Sequence, residues 1–410
     1  MCYNRKQKSG KEEQNMKSLW RPYRDLPALE PEKNRIEIDT GILAENYRKL
    51  TATLPSGCVG FAVVKADAYG HTNGICAPAL YRAGCRHFAV SSISEALALR
   101  KELSGRRDTV ILILGYTPPK YAGLLALENI TQCVYSLAYA KELSKAATGT
   151  IKIHIKLNTG MNRLGFDAID KGRLAETVKE IGEVFSLPHL SVSGMFAHFA
   201  RADEFTSEGD ALTKLQFERF QAVDKALLDA GFDVTFRHVS NSAAALRFPE
   251  YALDGVRFGI VLYGAGDKRL TDKVGVKPVM KLWTRISYIH DLHPGEGVGY
   301  GSTYVADSEK KLATLPIGYA DGFLRAYHGA TVTLCTESGR HKVSLVGRVC
   351  MDQCMVDITG IDAKEGDEVL LFGEDREALD ELAKKADTID YECLCLLSAR
   401  IPRVEKDKTK

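Results

Sequence analysis

Short apolar runs alternate with amphipathic stretches over most of the chain. Runs at 60–65, 87–91, 110–114, 131–135, 151–157, 190–197, 235–239 and 255–262 read as buried strands. Between them, segments such as 93–104 and 211–230 carry apolar residues at helical spacing. Eight such βα repeats over roughly 225 residues predict a (β/α)8 barrel rather than an open doubly wound sheet. The absence of a GxGxxG turn agrees with this. Ahead of them, Arg35-Ile36-Glu37-Ile38-Asp39 alternates like a half-buried strand, and Thr40 is the expected cap of a helix from Gly41 to about Leu54.

Beyond Gly266 the pattern changes to short β-rich runs at 279–291, 311–316, 330–335, 341–347, 354–358 and 367–372, with a helix near 377–386. Turns such as Pro294-Gly295 and Glu365-Gly366-Asp367 separate them. The expected organisation is a polar N-terminal extension (1–34), an α/β barrel (35–265), a mainly β C-terminal domain (266–403) and a tail (404–410). In the extension, Leu19, Trp20 and Tyr23 are candidates for pinning it to the surface.

At 410 residues the chain has length for two cores. Its 55 basic and 53 acidic residues leave a net charge of +2, too small a field to gather nucleic acid or an anionic membrane. Ten scattered cysteines, with no CxxC pair and no zinc-like spacing, read as free thiols in a reducing cytoplasm, and no metal site is expected. No apolar run reaches the length of a membrane span, and no signal-peptide pattern is present.

The chemistry begins at Phe61-Ala62-Val63-Val64-Lys65-Ala66-Asp67-Ala68-Tyr69-Gly70-His71. Four apolar residues deliver Lys65 to the rim of the sheet, where it is either a solvated cation or an amine at the edge of a low-dielectric pocket. Arg257, inside the apolar run Val256-Arg257-Phe258-Gly259-Ile260, needs a buried partner. His198 ends the run Gly194-Met195-Phe196-Ala197 and reads equally well as a core histidine.

The stretch VVKADAYGH resembles the cofactor-lysine motif of alanine racemases, fold-type III pyridoxal-phosphate enzymes. Further motifs follow in family order up to Arg403, and the resemblance implies that the leading strand, 35–39, packs with the C-terminal domain. The resemblance implies pyridoxal 5'-phosphate bound through Lys65, with Tyr69, Asn241, Ser242, Gly259 and Ile260 around its phosphate. The last four come from Arg237-His238-Val239-Ser240-Asn241-Ser242-Ala243-Ala244, similar to HxxNSAA, and from the exit of the eighth strand. It implies Arg257 as partner of the pyridine nitrogen, backed by His238, and His198 as the link from Arg257 to a second base. Gly299-Tyr300-Gly301-Ser302-Thr303-Tyr304 resembles YGxTY, making Tyr300 that base and placing it in a partner subunit's barrel mouth, so a homodimer with shared sites is implied. Lys156-Leu157-Asn158-Thr159-Gly160-Met161-Asn162-Arg163 resembles KxDTGMxR: Arg163 is implied near the cofactor, and Lys156 matches a lysine carbamylated in some members. Asn158 stands where many members have Asp and is assigned no role. Tyr319 is implied to narrow the entrance, and Met351 to meet the substrate carboxylate together with Arg163. In Leu397-Ser398-Ala399-Arg400-Ile401-Pro402-Arg403, Ala399 replaces a tyrosine that in many members walls the substrate pocket.

The resemblance implies a cytoplasmic racemase interconverting L- and D-alanine for peptidoglycan. Two features keep serine, or dual alanine and serine, specificity open: Ala399, and a run at Ile111–Pro118 resembling the racemase half of the membrane-anchored serine racemases of vancomycin resistance. A non-catalytic pyridoxal-phosphate barrel protein and a fold-type III decarboxylase are the readings from other classes.

Overall fold

A computed structural model of the chain describes residues 34–406. The N-terminal extension, with Leu19, Trp20 and Tyr23, lies outside the described residues apart from Asn34. Eight parallel strands form the first body: Val59–Val63, His87–Val90, Val110–Ile113, Ile130–Val134, Ile151–Asn158, Leu190–Phe196, Arg237–His238 and Gly255–Phe258. The first seven pair in order, each with its neighbour, and the eighth pairs back on the first. Between the seventh and eighth strands the ring closes through Arg257 N–H to the Ser240 carbonyl and Asp254 N–H to the Arg237 carbonyl, both 3.0 Å. The expected (β/α)8 barrel is therefore observed, with helices such as Ile93–Glu102 and Ser207–Asp229 on its outside.

Several element ends differ from the sequence reading, each for a local reason. The first strand stops at Val63, because Ala66–Tyr69 turn into left-handed backbone. The eighth stops at Phe258, because Gly259 leaves extended geometry and Ile260–Tyr263 coil into a 3-10 turn. Asp39, rather than Thr40, caps the first helix: its carboxylate accepts the Ile42 N–H at 2.9 Å. Thr40 is the first helical residue and donates its hydroxyl to Glu405 at 2.8 Å.

The second body is a nine-stranded sheet. Strand Arg35–Ile38 enters it between Met280–Arg285, antiparallel, and Arg403–Glu405, parallel. The first and last described strands of the chain are thus neighbours, so the barrel is held at both ends by one sheet. Buried apolar side chains of barrel and sheet form one continuous cluster. Among the described residues no helix is long and apolar enough to cross a membrane, no His, Cys, Asp and Glu group could hold a metal ion, and the nine cysteines are free.

The two bodies meet tightly at Gly70. It has φ +81°, and a Cβ there would lie 2.3 Å from the Leu394 carbonyl oxygen of the C-terminal domain. Both the backbone conformation and the space require glycine. Gly70→Ala is expected to destabilise the protein by about 2 kcal/mol or more. Urea unfolding measures this, and the loss should include looser docking of the Asp390–Cys395 helix, visible as faster amide exchange there.

Candidate active site

At the C-terminal rim of the barrel lies a cavity of about 430 Å3, a volume suited to a small organic ligand. Lys65, Tyr69, Lys156, Arg163, His198, Asn241, Ser242, Arg257, Gly259 and Ile260 all line it. These come from five places in the sequence, and the barrel brings them to one mouth.

Lys65 follows the first strand and opens a turn in which Ala66, Asp67, Ala68 and Tyr69 have φ between +51° and +57°. A left-handed run of this kind costs roughly 1–2 kcal/mol per non-glycine residue, so it needs outside support. His71 Nδ1 donates to the Ala68 and Tyr69 carbonyls at 3.0 and 3.1 Å. Asp67 accepts the Asn73 N–H at 2.6 Å, and Asn73 Nδ2 donates to the Val64 carbonyl at 3.0 Å. Glu95 accepts the N–H groups of Ala66 and Ser91, at 2.8 and 2.7 Å. Arg403 donates to the Gly70 carbonyl at 3.1 Å. The turn is a scaffold that aims Lys65 inward and brings Tyr69 beneath the cavity. Burial, then the charge of Arg163, lowers the Lys65 pKa and raises its share of free amine.

Arg257 is buried and, among the described residues, has no carboxylate beside it. Its Nη1 donates to His238 Nδ1 at 2.6 Å and to the His238 carbonyl at 3.0 Å. Nη2 donates to the carbonyls of Ala197 (2.8 Å) and Val239 (2.9 Å), with His198 Nδ1 at 3.1 Å. Of the five guanidinium donors, the four on Nη1 and Nη2 are thus taken, leaving the Nε–H without a protein acceptor among the described residues. Burial, with Arg163 nearby, pulls the pKa down to about 9, so the group stays charged at neutral pH. Burial and the Arg257 charge drive both His198 and His238 well below the ordinary histidine range, so both are neutral.

Ser242 is not the cap of its helix. Asn241 is, its carboxamide oxygen accepting the Ala244 N–H at 2.9 Å. The Ser242 hydroxyl is thereby free to reach across the barrel seam and accept the Gly259 N–H at 3.1 Å. Gly259 faces Tyr69: a Cβ there would stand 3.0 Å from the phenol oxygen. Hydroxyls and backbone donors thus surround a small hollow that any side chain at 259 would fill.

Lys65, Lys156, Arg163 and Arg257 share this cavity without a carboxylate in ion-pair range among the described residues. Lys156 is buried, its pKa pulled well down by burial and by Arg257. An anion is the ligand this charge pattern suits, and the Nε–H of Arg257 asks for a neutral acceptor. Pyridoxal phosphate offers both groups, and the residues present fit it.

Not every residue singled out from sequence lies here. Tyr300 sits at the tip of the hairpin between Gly297–Val298 and Tyr304–Val305, 71% exposed. Tyr319 and Met351 are also exposed and adjoin each other, Tyr319 N–H donating to Cys350 and Ala320 N–H to Met351. Ala399 is not in the cavity lining. It lies in a separate groove behind the Lys65 turn, with Cys395 and Arg403.

Sequence reasoning missed the residues that hold this site from behind. His71 and Glu95 brace the Lys65 turn. Asn158, left without a role, accepts the N–H groups of Gly160 (3.3 Å) and Asn162 (2.9 Å) and donates to Asn162 Oδ1, shaping the loop that carries Arg163. Gln216 ties the His198 carbonyl to Thr159. Only Glu95 carried a sequence signal, an acid in the first turn of its helix.

Two family models match the chain: the alanine racemase N-terminal domain over residues 38–267 and the alanine racemase C-terminal domain over 279–405. A curated alanine racemase of Clostridium tetani is 40% identical over 379 residues, 90% of this chain and 94% of the relative. One of Desulfovibrio desulfuricans is 39% identical over 373 residues, 90% and 96% respectively. Among solved structures, the alanine racemase of Clostridium difficile 630 superposes with a TM-score of 0.85 at 36% identity, covering 93% of this chain and 98% of that one. The Bacillus anthracis alanine racemase with bound L-Ala-P superposes with a TM-score of 0.83 at 31% identity, covering 94% and 97%.

The brace at His71 makes a prediction. Burial holds its pKa at about 4, against an ordinary value near ~6.5. Below pH ~6.5 the unfolded chain takes up a proton that the folded protein refuses until about 4. Stability from this group is complete above pH ~6.5 and falls by about 3 kcal/mol as acid approaches the lower value. Urea unfolding across that window should show this loss, with a shallower slope in His71→Asn.

Proposed function

The chain belongs to the alanine racemase family, and on that premise we propose that it interconverts L- and D-alanine with pyridoxal 5'-phosphate, supplying D-alanine for peptidoglycan. The observation that carries the reading is the one donor of Arg257, its Nε–H, left over once His238, His198 and three carbonyls have taken the rest. Such a donor at a cavity wall calls for an acceptor, and a guanidinium cannot hand over its proton. A pyridine nitrogen held against it would accept this hydrogen bond and stay unprotonated. When bound, the cofactor withdraws electron density from the substrate's α-carbon so that its proton can leave.

The chain's own residues then divide the work. Ser242, Tyr69 and the Ile260 N–H hold the phosphate, and the Gly259 N–H, which here donates to Ser242 Oγ, turns to it on binding. Lys65 tethers the cofactor and moves the Cα proton on one face, a task its lowered pKa suits. Tyr300 serves the opposite face. Its exposure in a single chain suits a side chain offered to a second copy, so the active enzyme is a homodimer. Arg163 and the Met351 backbone meet the substrate carboxylate, and Tyr319 narrows the entrance. Lys156, between Arg163 and Arg257 with no acid to neutralise them, acts as its carbamate, the anion that the cluster lacks.

Alanine is favoured over serine by the names of the similar proteins and because Ala399, the residue that suggested a roomier pocket, lies in a groove of its own. The match of the entire C-terminal domain disfavours a non-catalytic barrel.

Three measurements test this. The purified enzyme should racemise L-alanine with a kcat/KM at least tenfold above that for L-serine; equal values would restore the serine reading. Lys65→Ala and Tyr300→Phe should each be nearly inactive, yet unfolding and refolding them together should restore roughly a quarter of wild-type activity. Half the dimers are then mixed, and one of their two sites is whole; no recovery would remove Tyr300 from a shared site. Protein equilibrated with 13C-bicarbonate should show a carbamate carbon resonance that Lys156→Ala abolishes.

A further inference from the structure

The hydrogen bonds behind Arg257 run one residue beyond His238, to a side chain that nothing so far has given a part. We propose that His154 is a positioning residue of the reaction, fixing the protonation of His238 and through it the aim of Arg257. The inference rests on the reading of Arg257 as the cofactor's ligand.

His154 lies on the fifth barrel strand, two residues before Lys156 and on the same face. It is buried, and its Nδ1 stands 2.9 Å from His238 Nε2. His238 Nδ1 in turn stands 2.6 Å from Arg257 Nη1. The protons along this line have one consistent arrangement. A guanidinium only donates, so His238 Nδ1 must present its lone pair. The His238 proton then sits on Nε2 and is donated to His154 Nδ1. That nitrogen must be bare, so the His154 proton sits on its own Nε2. The opposite tautomer of His238 would press two N–H groups together and leave Arg257 without its closest acceptor.

The space for this ring is built in. A Cβ at position 194, on the sixth strand, would lie 2.7 Å from His154 Nε2, so the glycine there admits the imidazole. Phe196 and Phe236 pack around it. An imidazole in apolar surroundings is costly unless its polar atoms are used, and here Nδ1 is used. The titratable groups facing it are His87, His238 and Arg257. Burial, reinforced by His87 and Arg257, keeps the His154 pKa down at about 3, so it remains a neutral acceptor at any pH the enzyme works at.

With an apolar residue at 154, the His238 Nε2–H would be buried without an acceptor. The ring could then flip or change tautomer, and Arg257 would lose the contact that holds its Nη1 edge and so aims its Nε–H.

The test is a long-range 1H–15N spectrum of the holoenzyme labelled with 15N-histidine, with signals assigned from single histidine variants. At neutral pH, His238 and His154 should both appear neutral and protonated on Nε2. His154→Leu should shift the His238 signals toward the other tautomer or a mixture, and lower kcat/KM roughly tenfold. His154→Asn, whose carbonyl oxygen can stand where Nδ1 stood, should restore both to near wild-type values. A wild-type His238 protonated on Nδ1 or on both nitrogens would overturn the proposal. So would a His238 signal indifferent to His154→Leu, or a leucine variant no worse than the asparagine one. If the leucine variant does not fold, the wild-type spectrum decides alone. Failure of the racemase assay with this spectrum as expected would count against the function, and the reverse result against His154 only.

Discussion

A guanidinium set inside a parallel barrel, with no carboxylate to neutralise it, is the constraint around which the site is arranged. Removing such a charge from water is expensive unless its donors are met. Here the partners are three main-chain carbonyls at the ends of the sixth and seventh strands and two imidazole rings. The carbonyls are available because those strands stop short, the seventh having only Arg237 and His238 in regular pairing. The imidazoles can accept only while neutral, which burial and then the same positive charge enforce. Cation and neutral histidines hold each other in place.

The second costly feature is the left-handed turn after Lys65. Four such residues amount to about 4–8 kcal/mol of unfavourable backbone, a large share of what separates folded from unfolded in most proteins. The side chains that offset it come from three directions: His71 and Asn73 just downstream, Glu95 from the next βα unit, and Arg403 from the far end of the chain. Arg403 and the close approach of Leu394 to Gly70 make the C-terminal domain part of the turn's support. The position of Lys65 thus depends on the docking of the domain that carries Tyr300.

The barrel was legible in the chain because a parallel sheet covered on both faces writes its strands as uninterrupted apolar runs, and the second domain because short strands between glycine turns write theirs as well. Element ends were less so. Val64 continues the apolar run up to Lys65, and nothing in composition announces that Ala66, Asp67 and Ala68 turn left-handed. Asn241 and Ser242 came from one motif as phosphate residues, and nothing in it told that Asn241 caps the helix while Ser242 reaches Gly259. The cavity residues were legible through a motif, which names positions without their supports. Asn158 and Gln216 act by bridging loops far apart in sequence, a relation no local pattern records. His154 had a faint trace: it shares a strand face with Lys156 in Ile153-His154-Ile155-Lys156, so an inward lysine implies an inward histidine.

Charge ties the two halves of the proposed chemistry together. Lys65, Arg163 and Arg257, with Lys156 before it takes up carbon dioxide, converge on one cavity whose lining also holds Asp203, Asp267 and Asp390. A phosphate placed among Ser242, Tyr69 and Gly259 gains from that field. Burial, together with that field, disfavours a proton on Lys65 and on Lys156, so the free amines and the anion site share part of their cause. It also explains why a phenol suits the second base. In the proposed chemistry a carboxylate brought to this mouth would bind the cations and neutralise the field, whereas a phenol arrives uncharged.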